Sequence, residues 1–132
     1  MISTSDDLEA QLGRLGRRFE RGADGTFVLS LGANQPPVAL RIVPPLLVIQ
    51  VAVGPASKTD AEAAPLYRKL LELNASALLH AAYGLEGDLI VLSSALELSS
   101  LDLNELEAVL ADIDVALSEH VPVLRSMVQP AS

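Results

Sequence analysis

Apolar residues near the start of the chain recur at helical spacing. Leu8, Leu12, Leu15 and Phe19 follow one another at four, three and four residues and so share one stripe. Asp6, with Glu9 three positions on, fits a capping arrangement, and Asp6 and Asp7 lie where the helix dipole favours negative charge. The pattern predicts a first helix from Asp6 to near Arg18, ended by the turn residues Gly22, Asp24 and Gly25. The period then changes to two. "TFVLSL" from Thr26, "VALRIV" from Val38 and "LLVIQVAV" from Leu46 read as strands, parted by Asn34 to Pro37 and by Pro44 and Pro45. Alternation assigns Phe27, Leu29 and Leu31, then Val38, Leu40 and Ile42, then Leu47, Ile49, Val51 and Val53 to a core face. Short connections make these strands an antiparallel meander.

Further on, Leu66, Leu70 and Leu73 form one helical row and Tyr67 and Leu71 another, so a second helix is apolar over more than one stripe. Thr59 and Glu62 fit a capping box, but Pro65 is better tolerated in a first turn than in a helix interior, which predicts a helix from about Ala64 to Asn74. "LLHAAY" from Leu78 reads as a strand, "GLEG" from Gly84 as a hairpin connection, and "DLIVLSSALEL" from Asp88 as the partner strand. Ile90, Leu92, Leu96 and Leu98 face one side of that last strand; Leu89 and Val91 face the other. A strand apolar on both faces needs something to cover the second one.

"SLDLNELEAVLADIDVALSEHVPVL" is the clearest helix, with Asp102 capping it, Glu105 returning the bond, and Leu103, Leu106, Leu110, Ile113, Leu117 and Leu124 in a three-four rhythm. Pro122 should kink or restart it near Val121, and the tail from Gln129 should fray. The expected architecture is α+β, in the order helix, three strands, helix, two strands, helix. It forms a single domain over residues 1–128 with 129–132 as tail.

Composition narrows the function. The 132 residues are 50% hydrophobic but include only two Phe, two Tyr and no Trp, so the core is aliphatic. The absence of Cys excludes disulfides and thiol chemistry and suits a reducing cytoplasm. "MISTSDDLEA" lacks the basic region and apolar block of a signal peptide, and the apolar run "PPLLVI" is far short of the roughly 20 residues that span a bilayer. A cytoplasmic protein without membrane insertion is expected. Net charge is -8, and no Lys or Arg falls between Leu70 and Leu124, so that half should repel nucleic acid. Arg14, Arg17, Arg18 and Arg21 form the one basic cluster, without aromatic stacking partners, and pairing with the chain's own acids is the simpler use.

No catalytic chemistry stands out. Asp112 and Asp114 point about 200 degrees apart around a helix, and Glu105, Asp112 and Glu119 align at intervals too long for one small metal site. His80 and His120 read as partly buried imidazoles rather than ligands. Ser93 and Ser94 lie mid-strand, with no nucleophile elbow and no phosphate-cradling glycine loop. The acids of the last helix either keep the protein soluble or attract a basic partner segment.

"LLELN" at Leu70 to Asn74, "GLEGDLIVL" at Gly84 to Leu92 and "ALELSSLDLNELEAVL" at Ala95 to Leu110, in a small acidic chain, resemble the type III secretion chaperone family of the Tir-chaperone (CesT) type and its YbjN-like relatives. The resemblance implies a curved antiparallel sheet with helices packed on it, usually a homodimer, with no catalysis; on the residues themselves no cofactor or metal is expected. It also implies a partner: an extended, largely unfolded segment of a secreted effector protein held on apolar surface and sheet edges. A YbjN-like regulatory or scaffold protein that binds a folded partner is the alternative. The candidate dimer or partner interface is Leu66, Tyr67, Leu70, Leu71, Leu89, Val91, Val28, Leu46 and Val48, with Val43 beside them. Either a neighbouring loop covers these side chains, or they form a dimer seam and a peptide groove.

Overall fold

The computed structural model describes residues 2–32, 35–56 and 60–128. Its first helix, α1 (Ser5–Arg14), is capped earlier than expected. The Thr4 hydroxyl accepts from the Asp7 N–H at 3.1 Å, and the Asp7 carboxylate accepts from the N–H groups of Ser3 and Thr4 in return. Those bonds, the Ser3 N–H first among them, hold the Asp7 carboxyl below its ordinary range. The helix also stops earlier. Gly16, at φ 69°, takes the left-handed position, with its N–H bonded to the Gly13 carbonyl and the Arg17 N–H to that of Leu12. Phe19 therefore leaves the helical stripe and starts a strand that periodicity missed, β1 (Phe19–Arg21). It lies opposite Leu29, its ring 5.8 Å from that of Phe27.

The expected meander follows as β2 (Phe27–Leu29), β3 (Val38–Val43) and β4 (Leu46–Pro55). Helix α2 (Asp60–Ser76) begins before Ala64, with Pro65 inside it. Pro65 and Ala61 are both exposed, so water can take the Ala61 carbonyl that Pro65 cannot bond. Thr59 lies outside the described residues. Strand β5 (Ala82–Glu86) starts later than Leu78, and the hairpin turns at Gly87 and Asp88, the last residue of "GLEG" and the one after it, while Gly84 to Glu86 belong to the strand. Glu86 faces Leu89 across a two-residue loop whose first position, Gly87 at φ 61°, is one that glycine fills without steric cost. Strand β6 (Leu89–Glu97) and a short 3-10 turn lead to α3 (Leu103–Val115), where the Asp102 carboxylate accepts from the Glu105 N–H at 2.7 Å. A widened π turn, Ala116–His120, separates α3 from α4 (Val121–Val128), the expected restart at Val121. Pro122 accounts for it: the proline ring crowds the carbonyl four residues back, and a wider turn relieves that contact. The expected frayed tail, residues 129–132, lies outside the described residues.

All six strands pair antiparallel in the order β1-β2-β3-β4-β6-β5. Strand β6 inserts between β4 and β5, so the two halves of the chain share one sheet. Every helix packs on one face of it. There Phe27, Leu40, Leu47, Ile49, Ile90 and Leu92 meet Leu8, Leu12, Leu66, Leu106, Leu110 and Leu124 in one continuous aliphatic cluster. Arg21 pairs with Asp6 at 2.8 Å and Glu9 at 3.7 Å, turned to the acids of α1 rather than to those of α3. Asp112 of α3 caps the loop before β5, its carboxylate accepting from the N–H groups of Leu79 and His80. Ser94, the one buried polar residue among those described, donates to the His80 carbonyl at 2.6 Å.

Ile49 occupies the middle of β4 with no exposed surface. Ile49→Ala should cost about 2–5 kcal/mol of unfolding free energy, read as a lower midpoint in urea with an unchanged slope.

Candidate functional site

Among the described residues no helix covers the second face of the sheet. Across it the register sets Val28 opposite Ala39, Ala39 opposite Gln50, Ala52 opposite Val91 and Val91 opposite Gly84. Small residues on β3, β4 and β5 leave a hollow between the larger ones, a half-open groove of about 230 Å³. Val28, Ala39, Ala52, Leu89 and Val91 give it apolar walls, Pro37 closes one side, and Gln50 and Glu86 are its polar members. A register shift in β4 between Ala52 and Gly54 falls beside it. Such a bulge sharpens local twist and bends the strand.

Gln50 lies on β4 and Glu86 on β5, with β6 between them. The Gln50 amide donates to the Glu86 carboxylate, so this hydrogen bond crosses the outer side of β6 as a polar strap over Val91. Val91 is only 5% exposed although it points away from the core, while Leu89 beyond the strap is 36% exposed. The cover expected from a loop or a second chain is thus supplied, for Val91, by two side chains of its own sheet.

The structure sorts the sequence-predicted residues into separate places. Val28, Leu89 and Val91 come together in the groove. Leu46 and Val48 sit at the other end of the same face, where Leu46 is opposite Val43 and Val48 is opposite Arg41. Leu66 and Leu70 are buried on the inner side of α2 and belong to the core, which corrects their place among exposed residues. Tyr67 packs at the core's margin, and Leu71 stands out from α2 at 68% exposure. Pro37, Ala39, Ala52, Gln50 and Glu86 were not singled out from the sequence. Their signal is cross-strand position rather than residue type, since small residues define a groove only once the register is known.

The polar groups lie around β5. Asn74, at the end of α2, accepts from the Tyr83 N–H at 2.7 Å and donates to the Tyr83 carbonyl at 3.1 Å. The Tyr83 phenol is 3.2 Å from His120 Nδ1, joining β5 to the π turn. Burial pushes the phenol's pKa up, with the nearby Asp112 carboxylate adding to the effect. Burial also pushes His120 below its ordinary value, against the opposing pull of Glu119 and Asp112 and with a small contribution from Lys69. His80 is exposed and works through its backbone. Among the described residues no three His, Asp or Glu side chains converge in a way that could hold a metal ion.

A curved antiparallel sheet with its helices on one face and an apolar groove on the other defines an α+β binding module of the secretion-chaperone type. The chain belongs to the CesT_Tir_1 family, whose model matches residues 1–130. It is similar in fold to a chain of the ExoU-SpcU complex of the Pseudomonas aeruginosa type III secretion system, with 18% identity, TM-score 0.69, and 94% of this chain and 99% of that one covered. It is also similar to YbjN from E. coli, a putative transcription regulator by its description, with 15% identity, TM-score 0.71 and 99% of each chain covered. A chain of the Yersinia pestis complex of the secretion chaperone SycH with a YscM2 fragment aligns at 22% identity and TM-score 0.58, covering 86% of this chain and 99% of that one. None of the curated proteins matches the sequence. Among the described residues no helix is long and apolar enough to cross a membrane.

The His120 shift sets a pH dependence. The unfolded chain binds the proton near 6.5 and the folded one only at lower pH, so the unfolded state carries more protons between the two. Stability should be complete above pH 6.5, fall as pH drops through it, and level off below the folded value. Urea midpoints measured from pH 7.5 to 5 should show that slope, and His120→Gln should flatten it.

Proposed function

We propose that this protein is a non-enzymatic chaperone that holds an extended segment of a secreted effector protein on the bare face of its sheet. It works as a homodimer in the cytoplasm and needs no cofactor. The observation that carries the reading is the apolar groove of Val28, Leu89 and their small neighbours, open on a face that no helix covers among the described residues. A concave apolar site with a few polar members suits the capture of apolar anchor side chains. Membership of the CesT_Tir_1 family supports the reading, and so does the likeness of fold to a chain from a type III secretion complex and to one from a chaperone–effector complex. Exposed Leu71 and half-buried Tyr67 on α2 offer a second surface, suited to a seam between two copies. The fold likeness to YbjN favours one alternative, a regulatory or scaffold protein that binds a folded partner.

Whether an adjacent gene encodes a larger protein with a polar N-terminus is the first thing to check, and co-expression with such a protein tests the proposal. A complex of two copies of this chain with one partner, formed through an unfolded stretch of that partner, is the expected result. Leu89→Glu should weaken capture about tenfold or more while leaving the urea midpoint near wild type, because Leu89 is a surface residue of the groove. Equal capture by this variant would remove the groove from the function, and binding only to a folded partner would favour the YbjN-like reading.

A further inference from the structure

The basic cluster was expected to pair with the chain's own acids, and that holds for Arg21 alone. Its guanidinium bonds the Asp6 carboxylate at 2.8 Å, lies 3.7 Å from that of Glu9, and sits 5.4 Å from the centre of the Phe27 ring. The acids close by in sequence are thereby engaged. Asp6 and Glu9 hold Arg21, Asp7 accepts from Ser3 and Thr4, and Asp24 accepts from the N–H and hydroxyl of Thr26. Glu20 is left, but alternation in β1 sets it opposite Val28, on the bare face of the sheet. Among the described residues no carboxylate lies within ion-pair distance of Arg14, Arg17 or Arg18.

The negative end of a helix favours a cation, which accounts for Arg14 in the last turn of α1. It does not account for three. Arg14 and Arg18 are exposed and Arg17 is half-buried, and the turn that carries them is pinned at both ends. The Arg17 N–H bonds the Leu12 carbonyl at 3.1 Å, and Phe19 enters the sheet opposite Leu29. Three guanidinium groups are thus displayed from a fixed turn on a protein of net charge -8.

We propose that Arg14, Arg17 and Arg18 form a docking surface for an acidic, extended segment of a protein partner, separate from the groove. Each planar guanidinium takes a carboxylate through two parallel N–H donors, and a flexible acidic segment brings several carboxylates to one turn. The surroundings select this anion over two others. An anionic lipid surface is held by about four to eight basic residues or by apolar side chains beside them, and none of the exposed large apolar residues belongs to α1 or the turn after it. Single-stranded nucleic acid needs stacking platforms, and the ring at hand, Phe19, is packed on Phe27. Helix α1 lies on the covered face of the sheet, so the surface and the groove are different places.

The probe is a short fluorescein-labelled peptide of alternating Glu and Ser, followed by anisotropy at low salt. It has no apolar anchor, so the outcome is independent of what the groove holds. Wild type should bind it, Arg17→Ser with Arg18→Ser should weaken binding about tenfold or more, and added salt should weaken wild type more steeply than this variant. Arg68→Ser with Arg125→Ser has the same net charge as that variant and should bind as wild type does. In a titration of unaltered protein followed by NMR, the amide signals of Arg14, Arg17 and Arg18 should move while those of α3 and the groove stay, a readout that needs no substitution. Absence of binding by wild type would overturn the proposal, and so would an equal loss in the Arg68 and Arg125 control, since net charge would then be the cause. Tighter binding to phosphatidylserine vesicles or to an oligothymidine than to the peptide would also overturn it.

Discussion

The ladder between β4 and β6 is the joint on which the rest of the molecule depends. Its register runs from Leu46 opposite Glu97 to Pro55 opposite Leu89 and joins segments separated by 33 residues of sequence, 56–88, α2 and β5 included. Long-range pairing of this kind gives up much chain entropy before it is rewarded. The reward is burial: once β6 lies beside β4, Ile49, Val51, Ile90 and Leu92 face the same way and α2, α3 and α4 have one apolar surface to cover. The same joint sets β6 under the Gln50–Glu86 strap and delivers β5 to the edge, within reach of Asn74 and His120. Shifting β6 by one residue would exchange Leu92 for Val91 on the core side and dissolve both the core and the groove.

A sheet covered on one face only is stable while its bare face stays small in side chain or polar in cover. This protein uses both means. Ala39, Ala52, Gly84 and Ala95 keep the bare face shallow, and the strap spends one amide and one carboxylate over Val91. Leu89 and Val28 are left, too apolar for an idle surface and too few for a second core. Their spacing across the sheet is what the groove offers a partner.

Much of this was legible in the chain. The period-two runs of β2, β3 and β4 put the correct residues on the core face because alternation leaves no freedom once one face is aliphatic. The three-four rhythm from Leu103 did the same for the last helix, and Pro122 marked its interruption. Errors arose where two local signals competed. Leu8, Leu12, Leu15 and Phe19 fit one stripe, yet Gly16 in the left-handed region ends the helix first, and the β-hairpin claims Phe19. Gly84 and Gly87 both suit a turn. Only the pairing of Glu86 with Leu89 decides between them, and that pairing is tertiary. Leu66 and Leu70 looked free because α2 is apolar on two rows, and nothing in the sequence says which row meets the sheet. The groove was half visible: Val28, Leu89 and Val91 announce themselves, whereas alanines and a glutamine become walls and strap only through register. Asn74 was seen as the end of a helix, and its role at the sheet edge has no sequence signature beyond residue type.

The charge distribution decides between two ways of reading the acidic surface. Glu105, Glu107 and Glu119 are exposed on the helical side, and the groove opens on the opposite face of the sheet. Glu86, the one acid of the groove, is engaged with Gln50. A partner segment lying in the groove therefore meets an apolar surface with one carboxylate charge, Glu86, at its margin, and the body of the negative charge lies beyond the thickness of the sheet and core, further than the Debye length of about 8 Å at physiological salt. Held contact must come from apolar area and shape, and the acids act at a distance on how fast a basic segment arrives and on keeping the free protein dispersed. Salt should accordingly alter the rate of association far more than the rate of release, and substitutions in the groove should do the reverse.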